Sequence, residues 1–149
     1  MKIALGSDHG GFHLKEIVKE YLIKNNYEVL DKGTYSTASV DYPDIGEIVA
    51  LSVVKGEADK GMLMCGTGLG ISITANKVPG IRAALVSETF SAKMSRAHND
   101  ANILALGGRV TGSDLALEIV DVWLHTKFEG DRHERRVNKM KEVEARYCK

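Results

Sequence analysis

The side chains best equipped for chemistry fall in four short segments. In the first, Cys65-Gly66-Thr67-Gly68-Leu69-Gly70, a thiol heads three alternating glycines. Glycines let a backbone approach a ligand closely and adopt positive φ. Their N–H groups, where a helix begins, make an anion-binding concavity, and a thiol in such a place has more thiolate character. This is equipment for moving a proton beside a developing oxyanion. The same residues also suit a tight strand-to-helix turn with Cys65 as a small buried hydrophobe. The spacing is G-x-G-x-G, no acidic residue stands on a following strand in the dinucleotide context, and no Walker lysine follows. Neither a nicotinamide site nor a P-loop is indicated.

The other three segments are ambiguous in the same way. Ser7-Asp8-His9-Gly10-Gly11 offers a carboxylate and an imidazole at a strand end, able to hold hydroxyls and an anion. Its alternative role is capping the first helix with Ser7 and Asp8. His9 and His13 have metal-pair spacing, but no third ligand stands at a matching position, so no metal is expected. Arg96-Ala97-His98-Asn99-Asp100-Ala101-Asn102 puts a histidine at a helix end, where it could act as acid and base or simply face the helix C-terminus, with Asn99 and Asn102 forming turns. Arg132 and Arg136 are one helical turn apart. Two guanidiniums there suit a phosphate, or they form a solvated face with Glu129, Asp131 and Glu134.

These segments need elements to hold them. Lys2–Gly6 reads as a strand, followed by a helix whose apolar stripe is Leu14, Ile17, Val18, Tyr21 and Leu22, with Lys15 and Lys19 facing away. Strand-like runs recur at Tyr27–Asp31, Gly61–Met64, Ile81–Ser87 and Ile103–Leu106. Helical patterns occupy Asp44–Lys55, Ile71–Lys77, Glu88–Ala97 and a segment opening at Thr111 with Leu115, Ile119, Val122 and Trp123 inward. A charged helix spans about 131–146. Alternating strands and helices predict an α/β fold: a Rossmann-like three-layer α/β/α sandwich around a five-stranded parallel sheet. Ligands of such sheets bind beyond the carboxyl ends of the strands. The post-strand segments Ser7–Gly11, Cys65–Gly70, Ser87–Thr89 and Gly107–Arg109 are therefore the expected binding loops, the first two carrying the most chemistry.

The chain's 149 residues fit one domain over 1–149, with 20 basic against 20 acidic residues. That balance speaks against general nucleic-acid or membrane binding. No stretch reaches the length of a membrane span, and the start of the chain shows no signal-peptide pattern, so the cytosol is the expected compartment. Two cysteines outside any metal spacing predict no disulfide, and Cys148 is expected to be incidental.

The motifs taken in order resemble a known family. Ser7-Asp-His-Gly-Gly11, Asp41-Tyr-Pro-Asp44, Gly61-Met-Leu-Met-Cys-Gly-Thr-Gly-Leu-Gly70 with Ala75-Asn-Lys77, Gly80-Ile-Arg-Ala-Ala84, Arg96-Ala-His-Asn-Asp-Ala-Asn102, Leu106-Gly-Gly-Arg109 and Arg132-His-Glu-Arg-Arg-Val-Asn-Lys139 are similar to the ribose/galactose isomerases, in particular to B-type ribose-5-phosphate isomerases. The resemblance runs through essentially the whole chain. It implies interconversion of D-ribose 5-phosphate and D-ribulose 5-phosphate through an enediolate, in the non-oxidative pentose phosphate pathway, with no metal or organic cofactor. It implies a homodimer or dimer of dimers with the site shared across the interface.

By that resemblance Cys65 is the base, His98 opens the furanose ring, and Thr67 lies near the reacting oxygens. Asp8, Tyr42 and Asn99 match sugar-contacting or ring-opening positions. The backbone of Gly66, Gly68, Leu69 and Gly70 is expected to hold the enediolate, and His9, Arg109, Arg132 and Arg136 the phosphate. His98, Asn99 and Arg109 are expected from the neighbouring subunit. Two other readings stand beside this one: the same chemistry on a six-carbon aldose 6-phosphate (allose or galactose), and a non-catalytic phosphate- or nucleotide-binding module, which leaves Cys65 and His98 without roles.

Overall fold

Three segments of the chain are apolar on both faces: β1 (Lys2–Ser7), β3 (Lys60–Cys65) and β5 (Ile103–Gly107) are buried almost throughout. Strands of this kind need cover on both sides, which is the condition of a parallel sheet wrapped in helices. The computed structural model, which describes residues 1–148, has that architecture. With β2 (Glu28–Asp31) and β4 (Ala83–Leu85) at the edges, the sheet order is β2-β1-β3-β5-β4, and every neighbouring pair is parallel.

Because side chains alternate across a strand, the sheet divides two cores. Ile3, Leu5, Met62, Met64, Leu104 and Leu106 pack on one side. There they meet α1 (Phe12–Lys24), α4 (Thr89–Ala97) and α5 (Ser113–His125) through Leu14, Val18, Leu22, Ala92, Ile119 and Trp123. Ala4, Leu63, Cys65 and Ile103 face the other side, against α2 (Tyr42–Val54) and α3 (Leu69–Ala75) through Val49, Ala50, Ile71 and Ala75. The last helix, α6 (Arg132–Tyr147), buries only His133 and Val137. No helix among the described residues is long and apolar enough to cross a membrane.

Two helix faces differ from the sequence expectation. In α5 the inward stripe is Ala116, Ile119, Val120, Trp123 and Leu124, while Leu115 stays outside. In α1, Lys15 is fully buried instead of facing water. Its ammonium lies 2.8 Å from both carboxylate oxygens of Asp31 and 3.1 Å from Glu16. The end of β2 thus supplies a counter-charge that helical periodicity does not encode.

Asp31 also accepts from Lys19 at 2.9 Å and from the Gly33 N–H at 3.0 Å. Burial of Asp31 opposes its charge, but Lys15, the Gly33 N–H and Lys19 outweigh that and hold the carboxyl below its ordinary range. A carboxylate depressed in the folded state stabilises the fold above its unfolded pKa, and the contribution is lost as pH falls through the folded value. Breaking a buried pair strands the other charge. We therefore expect Asp31→Asn to cost about 3 kcal/mol at pH 7, measured by urea unfolding. Its deficit should narrow as pH drops below about 4.

Candidate functional site

The strand order changes direction between β1 and β3, so the loops after these strands separate and open a crevice at the carboxyl edge. Cys65 closes β3 there, only 5% exposed, its side chain on the α2/α3 side of the sheet. Its sulfur accepts the N–H of Gly68 at 3.1 Å. Gly68 holds this pose with φ of 79°, and a Cβ on it would meet the backbone of Leu106 at 2.9 Å.

Glycine brings the neighbouring loops into direct backbone contact. A Cβ on Gly10 would fall 3.1 Å from the Gly66 nitrogen, and one on Gly108 2.8 Å from the Gly10 oxygen. The N–H groups of Gly108 and Arg109 donate to the carbonyls of Cys65 and Gly66 at 2.8 and 2.9 Å. The loops after β1, β3 and β5 therefore form one floor.

The side chains around that floor are the ones the motifs single out. Asp8 is buried, and its Oδ1 accepts the Gly11 N–H at 3.1 Å. His9 accepts the Val40 N–H on Nδ1 at 3.2 Å, so a neutral ring carries its proton on Nε2 and offers it as a donor. Thr67 takes the Leu69 N–H on its hydroxyl at 3.2 Å. With the Gly68 N–H turned to sulfur, two of the loop's donors are engaged internally in this state. The Tyr42 ring lies against Gly70, where a Cβ would come within 2.5 Å of it. Arg109 lies over Gly66, its Nη1 3.1 Å from the position of a Cβ there. Arg109 follows β5 on the same carboxyl edge as Gly66.

The remaining site residues lie elsewhere. His98 caps the C-terminus of α4, and the segment after it is tied to the amino ends of the strands. The carbonyl of Asn102 accepts from Gly61 at 3.0 Å, and its side chain accepts the Arg82 N–H at 2.8 Å. The Glu129 N–H donates to Ala97 at 3.0 Å, which brings the start of α6 to the same edge. There the His133 ring stacks on that of His98, centroids 4.0 Å apart. His98, Asn99, Arg132 and Arg136 thus form a second group. Gly61 and Cys65 stand four positions apart on β3, roughly 13 Å along the strand. Within one chain the two groups do not meet.

His133 and Glu129 belong to this second group, and sequence reasoning gave neither a role in chemistry. One signal was present: on an otherwise charged helix, His133 and Val137 are the i, i+4 pair that can face inward. Burial holds the His133 imidazole below its ordinary pKa range. His98, Arg132 and Arg136 push the same way, while Glu129 opposes.

The ribose/galactose isomerase model matches residues 3–140, which takes in both groups. The chain belongs to the ribose/galactose isomerase family. Within the family it is 52% identical over 145 residues to ribose-5-phosphate isomerase B of Escherichia coli, covering 97% of each chain. Its fold superposes on Clostridium thermocellum ribose-5-phosphate isomerase B with a TM-score of 0.98 at 60% identity, covering 99% of each chain. The Mycoplasma genitalium family member, solved with bound ribulose 5-phosphate, gives 0.92 at 42% identity, over 97% of this chain and 96% of that one.

The Gly68 turn can be tested directly. Gly68→Ala puts a side chain at positive φ and against backbone, and should destabilise by more than about 1 kcal/mol. A thermal melt should fall by at least about 3 °C. Gly112→Ala, with open space around it and φ of −63°, should stay within about 1–2 °C, since open surface sites shift stability by about half a kcal/mol.

Proposed function

We propose that this chain interconverts D-ribose 5-phosphate and D-ribulose 5-phosphate through an enediolate, in a site assembled between two copies of the chain. The observation that carries the proposal is Cys65: a thiol at a strand end, with a loop N–H on its sulfur, in a crevice floored by glycine backbone. Full-length similarity to ribose-5-phosphate isomerases supports the substrate.

The proposed chemistry gives each of the matched residues a step. A furanose must open before the hydrogen on C2 becomes acidic, and His98 is the imidazole suited to that step. The Cys65 thiolate then takes the C2 proton and returns it to C1. The negative charge that develops on the sugar oxygens is met by loop N–H groups and Thr67. Fixed donors of this kind are worth about 2.7–4 kcal/mol each to a transition state. Asp8, Tyr42 and Asn99 hold sugar hydroxyls. His9 Nε2, Arg109, Arg132 and Arg136 hold the phosphate, so that binding energy at the far end of an open-chain sugar serves orientation. The carbon-bound proton leaves C2, rests on sulfur and returns to C1, while the hydroxyl proton of O2 passes to O1 beside the Thr67 hydroxyl; the reaction as written uses no other reagent.

The split of site residues supports the two-copy arrangement, because His98 and the α6 arginines stand at the wrong edge to reach Cys65 of the same chain. Uncovered apolar side chains near the crevice, Leu69, Ile73, Phe90 and Val110, are each more than half exposed, and contiguous apolar surface marks an interaction site.

Two measurements test this reading. Cys65→Ala should lose at least about a hundredfold in kcat, the scale of a proton-transfer group, while still binding ribose 5-phosphate. A mutant that keeps its rate refutes the base. The second is complementation. Cys65→Ala and His98→Asn should each be inactive alone. Subunit exchange in a twofold dimer makes half the dimers mixed, each with one intact site of two, so about a quarter of wild-type activity should return. No recovery would place both residues in a single chain's site. Comparing kcat/KM on allose 6-phosphate and galactose 6-phosphate decides the six-carbon alternative.

A further inference from the structure

We propose that His133 is the positioning residue of His98: the two stacked imidazoles and Glu129 form one unit holding a single transferable proton, with His98 the face that meets the sugar. The inference rests on reading His98 as the ring-opening group.

The geometry is specific. The two ring planes lie within 8° of parallel, with centroids 4.0 Å apart. His133 is 5% exposed and fixed in α6, whereas the His98 side chain is 37% exposed. One ring is the support and the other the working surface. Each is anchored through its own backbone: the His98 N–H donates to Met94 at 2.8 Å and the His133 N–H to Gly130 at 3.0 Å. A terminal imidazole on a helix C-cap otherwise has a free χ1 and χ2. The stack removes that freedom.

The charges point the same way. One oxygen of Glu129 lies 3.6 Å from Nε2 of His133 and 3.9 Å from Nε2 of His98. It lies within ion-pair reach of both rings and is hydrogen-bonded to neither. His133 Nε2 is buried and has no hydrogen-bond partner. The groups facing His133 are His98, Glu129, Arg132 and Arg136; three of them disfavour charge on it, as does burial. Two imidazoliums face to face at this distance would repel strongly. The pair therefore carries at most one positive charge, and the exposed ring is the one able to hand a proton on. Ring opening needs no more than that. The C1–O4 bond breaks as O4 receives a proton and O1 gives one up, so no net proton is consumed.

The three groups also lie within 4.8 Å of one another, near enough to suggest a metal. The stacking argues otherwise. Imidazole binds a metal in its own plane at about 2.0–2.1 Å, and a metal in the plane of one ring lies well outside the plane of the other.

Ribulose 5-phosphate separates the steps, since its C5 oxygen is esterified and it cannot close to a furanose. Exchange of its C1 hydrogen with D2O needs Cys65 but no ring opening. His133→Ala should lower kcat on ribose 5-phosphate by about ten- to a hundredfold, a fraction of the usual acid–base contribution. KM should change little, and exchange on ribulose 5-phosphate should stay within about twofold of wild type. His133→Phe, which keeps a flat ring in the stack, should recover more of the rate than His133→Ala does. The inference is overturned if His133→Ala lowers both reactions together, as loss of the phosphate clamp would, or lowers neither. His98→Asn is the control. If it spares ribose 5-phosphate turnover, the reading of His98 falls as well. If it abolishes turnover and His133→Ala does not, only the present inference falls.

Discussion

In this fold the constraint on which the rest depends is direction. All five strands run the same way, so every strand-to-helix loop emerges at one edge of the sheet and every helix-to-strand return at the other. The thiol, the glycine floor, Asp8, His9 and Arg109 belong to the first kind of segment. His98 and Asn99 belong to the second, and the start of α6 joins them through Glu129 and Ala97. No local rearrangement moves a residue from one edge to the other. The sheet would have to be taken apart. A site needing both sets is therefore a property of at least two chains, by the same topology that makes each chain stable.

Within the carboxyl edge a second constraint operates at shorter range. Loops from three strands touch through backbone, at distances that leave no space for a Cβ on Gly107 or Gly108 and little for one on Gly10. Close packing of this kind transmits displacement. The sulfur of Cys65, the guanidinium of Arg109 and the carboxylate of Asp8 are consequently set by one rigid floor rather than by three independent loops. The burial of Lys15 against Asp31 pins α1 to the end of β2 next to this floor, so a charge pair remote from the thiol helps fix the loop that carries Asp8.

Much of this was legible in the sequence because it rests on local pattern. Apolar runs of five or six residues alternating with helical stripes give a parallel sheet, and Cys65 with its glycines reads as a loop at a strand end. The motifs also name the family. What escaped depends on partners distant in sequence. The stripe of α1 puts Lys15 in water because helical periodicity has no knowledge of Asp31, sixteen residues on. The placement of Arg109 over Gly66 is decided by which strands pair. The stack of His98 on His133 joins residues from two helices, and on α6 the histidine is hidden among charges that all face out.

The distance between the two edges has a consequence on an evolutionary scale. If the site is assembled from two copies as proposed, a chain that carries a thiol loop at one end and an imidazole with two guanidiniums at the other holds two half-sites that are physically separable. After gene duplication, one copy can lose its thiol loop and the other its imidazole edge, and the mixed assembly retains a complete site. Each loss is silent while the sister persists, and irreversible once both have occurred. Under the two-copy reading proposed above, such a fold is predisposed to drift from an association of like chains into an obligate pair of unlike ones.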